Sequence, residues 1–179
     1  MKKADTVYFD KGGPEHTQAT LQVAKERATE LRPEAIVVTS TSGKTALEAA
    51  RIFAGTGIRI IATPFQKNLW DKYPPPDPQL VAECRELDVE FLPDEPVVPL
   101  LDSERPDIVN AWRTVSQGFK VALQVASMCV DTGLLKPGAH VISIGGSERG
   151  ADTGIAVQIY GYTNVLKSNV TEIIAMPSR

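Results

Sequence analysis

Apolar positions along this chain follow two alternating rhythms. Short β-branched runs occur at Thr6-Val7-Tyr8-Phe9, at Ala35-Ile36-Val37-Val38-Thr39 and at Ile58, Ile60, Ile61 and Ala62. Between them, apolar residues recur three and four positions apart, the spacing of one helix face. Leu21, Ala24, Ala28 and Leu31 form the first such stripe, with Lys25, Glu26, Arg27 and Glu30 on the other side, Pro14 at a first helical position and Pro33 closing the segment. Thr45 to Ala54 repeats the pattern with Leu47, Ala50 and Phe53 inward, and Gly55 and Gly57 stop it. Three strand-helix alternations in the first 63 residues predict a three-layer α/β sandwich around a mostly parallel sheet.

The second half is less regular. Pro64 to Pro78 holds Trp70, Tyr73 and three consecutive prolines, which favours an extended loop able to act as a lid; its aromatics either cover a planar ligand or, more simply, anchor the loop. A short helix over Gln79 to Leu87 and a strand over Val89 to Leu92 precede a second proline-rich stretch, Pro93 to Pro106, read as an insertion. Asp107 to Asp131 is helical by pattern, with Gly118 expected as a kink and Trp112 as core. Ala139 to Gly150 is a second strand leading into glycines, and Thr153 to Tyr160 and Glu172 to Met176 read as closing strands, antiparallel at the sheet edge. The 179 residues are expected to form one domain.

Charge narrows the range of partners. With 19 Lys and Arg against 22 Asp and Glu, the net charge of -3 offers no general attraction to nucleic acid or to an anionic membrane. Any anion must be caught locally. Cys84 and Cys129 are far apart and have no His or Cys at ligand spacing, so neither a disulfide framework nor a metal site is expected. Together with an N-terminus lacking a signal-peptide pattern, this suggests a cytoplasmic protein.

The local catchers are two turns. Ser40-Thr41-Ser42-Gly43-Lys44-Thr45 follows the second strand and opens a helix. Its hydroxyls, the Lys44 charge and the positive end of the helix suit a phosphate. A P-loop would need a glycine at the position of Val38, so the turn is too short to wrap a triphosphate and fits a monophosphate better. Five Ser or Thr in seven residues exceeds what an ordinary helix cap requires. The other turn, Gly145, Gly146, Ser147, Arg149, Gly150, Asp152 and Thr153, carries an Arg suited to clamp an anion. In a parallel sheet both turns should share the carboxyl rim with the first loop, bringing in Lys11, Glu15, His16 and Thr17; His140 should lie at the opposite rim. No nucleophile-base pair has a spacing signature, so catalytic residues are unknown.

From Ile36 to Pro64 and from Lys136 to Val157 the chain resembles the C-terminal α/β domain of pyruvate kinase, in the Thr-x-x-Ser-Gly-Lys-Thr-Ala turn and the Gly-Gly-Ser-Glu-Arg-Gly-Ala-Asp-Thr loop. Those loops hold the phosphates of a sugar bisphosphate effector in the kinases. Over nearly its whole length the chain is similar to a stand-alone family of such domains, marked also by Tyr8-Phe9-x-Lys11-x-Gly13-x-Glu15-x-Thr17 and Glu172-Ile173-Ile174-Ala175-Met176-Pro177. This resemblance implies flavin mononucleotide as a cofactor in the loops. It does not imply pyruvate kinase activity, which belongs to a separate barrel of ~250 residues. The leading expectation is a protein that binds a phosphorylated small molecule, flavin mononucleotide or a sugar phosphate, in a ligand-holding or regulatory role. The alternatives are a flavin-dependent oxidoreductase, an enzyme acting on a phosphate monoester, or a homo-oligomerisation module built on apolar edge strands.

Overall fold

A computed structural model describes residues 3–67, 70–71, 73–93 and 104–178. Its seven-stranded sheet runs in the order β1-β7-β6-β5-β2-β3-β4. The strands are β1 (Val7–Phe9), β2 (Ala35–Thr39), β3 (Arg59–Thr63), β4 (Val89–Phe91), β5 (Ala139–Gly145), β6 (Thr153–Ile159) and β7 (Asn169–Pro177). The helices are α1 (Thr17–Leu31), α2 (Lys44–Ile52), α3 (Pro78–Glu86), α4 (Pro106–Arg113) and α5 (Gln117–Asp131). β6 alone runs against the others, pairing antiparallel with β5 and β7, while β1 pairs parallel with β7. The three-layer α/β expectation therefore holds.

Residue alternation explains the layers. Successive side chains of a strand point to opposite faces. Ile36 and Val38 of β2 join α1, α2 and α3 in one core, with Leu21, Ala24, Leu47 and Cys84. Ala35 and Val37 join α5 in the other, with Phe119, Ala122, Ala126 and Cys129. Because both faces of β2 are covered, Ala35 to Val38 are completely buried, and the run reads as continuously apolar.

Two expectations are corrected. The closing strands are not at the edge: β1 lies outside β7, and β6 is an interior strand, buried at six of its seven positions. The break in the long helical segment falls at Thr114 to Ser116, not at Gly118. Ser116 caps α5, its Oγ accepting from the Phe119 N–H at 3.0 Å. Gly118 serves packing instead, since a Cβ there would collide with Thr153 Oγ1 and meet Asp152 Oδ1 at 2.7 Å. Within the proline-rich stretch expected as an insertion, 94–103 lie outside the described residues.

α1 is tied to β7 by Arg27, which makes a bidentate pair with Glu172 at 2.6 and 2.8 Å and a further contact to Glu30 at 2.9 Å. The Glu172 hydrogen bonds, followed by those to Glu30, push the Arg27 pKa up. Both partners of the α1-β7 bridge are largely buried, at 13% and 11% side-chain exposure. Arg27→Ala leaves the Glu172 carboxylate without its fork, and a loss of about 2 kcal/mol in urea-unfolding stability is expected. Wild-type stability in that variant would show that the bridge is incidental.

Candidate functional site

The parallel strands place the ends of β1, β2, β3 and β5 on one rim, so the loops that follow them meet there. After β2 the chain turns sharply at Gly43, whose φ of 94° lies in the left-handed region. A Cβ there would also press on Leu80 Cβ at 3.0 Å. A glycine at the N-cap supplies no capping side chain. The positive end of the α2 dipole thus faces the turn, whose Ser40 and Ser42 hydroxyls accept from two of its first-turn N–H groups.

The neighbouring hydroxyls have two uses. Ser40 Oγ accepts from the Ala46 N–H at 3.1 Å, Thr41 Oγ1 from the Phe65 N–H at 2.8 Å, and Ser42 Oγ from the Lys44 N–H at a long 3.4 Å. Each hydroxyl accepts in these bonds and keeps its own proton to donate. α3 braces the turn from behind: the Asp77 N–H donates to the Ser42 carbonyl at 3.1 Å, and Cys84 Sγ to the Gly43 carbonyl at 3.5 Å.

The second turn is built around Asp152, which is 1% exposed. Its Oδ2 accepts from the Gly13 N–H at 3.1 Å and the Ser147 N–H at 3.0 Å, and its Oδ1 from Thr153 Oγ1 at 2.8 Å. One carboxylate thereby ties the β1 loop to the β5 loop. Thr17 makes a second tie, donating to the Pro14 carbonyl at 2.8 Å and accepting from the Ala151 N–H at 3.0 Å. The glycines make this closeness possible. A Cβ on Gly146 would strike the Gly150 carbonyl, and one on Gly150, at φ 75°, would lie 2.5 Å from Thr17 Oγ1.

Between the two turns lies a cleft of about 620 Å³. Of the residues singled out by sequence, Glu15, Thr17, Ser40, Thr41, Ser42, Lys44, Thr45, Gly146, Arg149 and Gly150 line it. Lys11, Gly43, Gly145, Ser147, Asp152 and Thr153 do not line it, and the last five shape it from behind. Lys11 is exposed and pairs with Glu15 at 3.6 Å. His16 stacks on Phe9, with ring centroids 4.1 Å apart, and is not a lining residue. His140 is exposed at the start of β5 on the far rim.

Sequence reasoning missed Phe65, Glu48, Glu148 and Val121, all of which line the cleft. Glu48 was findable, being one helical turn beyond Lys44 on the same face. Val121 was not, because only the packing of α5 under the rim brings it there. Phe65 stacks on Tyr73 with centroids 4.4 Å apart, and both rings line the cleft. Trp70 anchors the loop, its Nε1 donating to the Phe65 carbonyl at 2.9 Å.

The wall is therefore a donor-rich helix end and two cations on one side of an aromatic pair. Among the described residues, no ion pair involves Lys44 or Arg149. Both cysteines are buried free thiols, and burial pushes the pKa of each up, away from nucleophilic thiolate. Among the described residues, no group of three His, Cys, Asp or Glu side chains is placed to hold a metal ion. No helix among them is long and apolar enough to cross a membrane.

Fold and site together define an α/β domain whose carboxyl-rim loops frame a cleft lined by hydroxyls, aromatics and charges of both signs. The family model of the pyruvate kinase alpha/beta domain matches residues 18–167, and the chain belongs to that family. The match contains both turns but not β1, the 11–17 loop or β7.

Proposed function

We propose that the cleft binds a phosphorylated small molecule, with its phosphate at the N-terminus of α2 between Lys44 and Arg149. The observation that carries this reading is the α2 N-terminus, with its turn hydroxyls, lining the cleft beside two cations that have no ion partner among the described residues. The cleft volume lies within the ~300–1,000 Å³ usual for small-ligand sites. The Phe65-Tyr73 pair offers an apolar face to a planar group, which favours flavin mononucleotide, with a sugar phosphate as the smaller alternative.

Binding is favoured over catalysis. Of the polar groups that a reaction could recruit, His16 is stacked on Phe9 outside the cleft and Glu15 is engaged by Lys11. Two free buried thiols agree with a reducing, cytoplasmic setting.

The test is the visible absorption spectrum of the purified protein, mass spectrometry of whatever heating releases, and melting with added ligand. A flavin spectrum or a released phosphate monoester is expected. Otherwise, flavin mononucleotide or a hexose 6-phosphate at a hundredfold its dissociation constant should add about 2.7 kcal/mol of stability. A colourless, empty protein whose melting temperature neither ligand moves would sink the proposal.

A further inference from the structure

We infer that Glu48 and Glu148 restrict this cleft to ligands carrying a single phosphate, by standing as carboxylates beside Lys44 and Arg149, the two cations that line it among the described residues. The inference rests on the phosphate-binding reading above and deepens it. Two cations, Lys44 and Arg149, line the cleft together with three carboxylates, Glu15, Glu48 and Glu148.

The placement of these charges gives the selection. Lys44 and Glu48 are one turn apart on α2 and share a face. Arg149 and Glu148 are neighbours in the glycine turn, so each cation has a carboxylate beside it on its own element. Glu15 stands on the opposite wall, in the turn before α1. Its own backbone N–H, then Lys11 and His16, hold its pKa below the usual value, so it stays charged. Lys11 is not in the lining and is engaged with Glu15.

A first phosphate at the α2 N-terminus takes up both free cations. A second would lie among carboxylates that have no ion partner among the described residues at Glu48 and Glu148. Hydroxyl or ring N–H donors on the rest of the ligand, by contrast, find acceptors in those carboxylates. A like-charge contact at the cleft mouth, with Glu148 exposed and Glu48 half-buried, is expected to weaken a bisphosphate relative to its monophosphate about tenfold.

The experiment is titration calorimetry of the wild type and the Glu48→Gln/Glu148→Gln double variant with flavin mononucleotide, glucose 6-phosphate and glucose 1,6-bisphosphate. The substitutions are close in shape, and unchanged melting temperature checks the fold. Wild type is expected to hold the bisphosphate about tenfold more weakly than the monophosphate, and the double variant to recover about threefold or more of that gap without tightening flavin mononucleotide. A wild-type preference for the bisphosphate, or equal gains on all ligands, overturns the selection by charge. A gap between bisphosphate and monophosphate that the double variant leaves unchanged does the same while sparing the phosphate-binding reading. If none of the three ligands binds either protein, the underlying reading fails and this inference with it.

Discussion

Asp152→Ala is expected to destabilise the protein by about 3 kcal/mol, read as a lower urea midpoint at unchanged slope. The carboxylate is buried and accepts from three donors on two loops, Gly13 N–H, Ser147 N–H and Thr153 Oγ1. Removing it strands the buried Gly13 N–H and the part-buried Ser147 N–H and opens a void between the β1 and β5 loops. Asp152→Asn separates hydrogen bonding from charge. Its amide oxygen can still accept from both N–H groups while its NH₂ donates to the Thr153 hydroxyl, so a loss of about 1 kcal/mol is expected. Because Asp152 does not line the cleft, the Asn variant should bind phosphate ligands nearly as wild type does. An alanine variant as stable as wild type would remove Asp152 as the clasp of the rim.

The largest effect on binding is expected from Lys44→Ala and Arg149→Ala. Each removes one charged partner of the phosphate, costing about 1.5 to 3 kcal/mol, or about ten- to a hundredfold in affinity. The wild-type affinity should also fall as salt is raised, since both side chains sit at the mouth of an open cleft. Neither is paired with an acid among the described residues, so their loss should leave stability nearly unchanged. Affinity unaffected by either substitution would place the ligand elsewhere.

The strands and helices were legible where one physical cause dominates. β2 matches its expected bounds because burial on both faces demands an unbroken apolar run, while α1 keeps its buried stripe but starts at Thr17, after a 3-10 turn at Pro14–His16 where the sequence placed the helix start. Gly118 was misread because a helix glycine looks like a weak point, while the reason for it lies some thirty-five residues away in Thr153. β6 was misplaced for the same kind of reason. Its apolar pattern reports burial, but its neighbours are chosen by how β7 and β1 pack beyond it.

The site divides along similar lines. The hydroxyl-rich turn before α2 and the glycine loop after β5 are local chemistry: a left-handed glycine, a helix end and small residues are written in consecutive positions. These two turns supply eight of the marked cleft-lining residues, and the first loop on the same rim adds Glu15 and Thr17. Which of the marked residues face the ligand was decided only in three dimensions. Asp152 and Thr153 are turned inward to hold two loops together, while Phe65 and Val121 are brought to the wall by elements distant from the two turns. A turn's conformation depends on its own residues, whereas the direction a polar side chain takes depends on the donors that other segments leave unsatisfied.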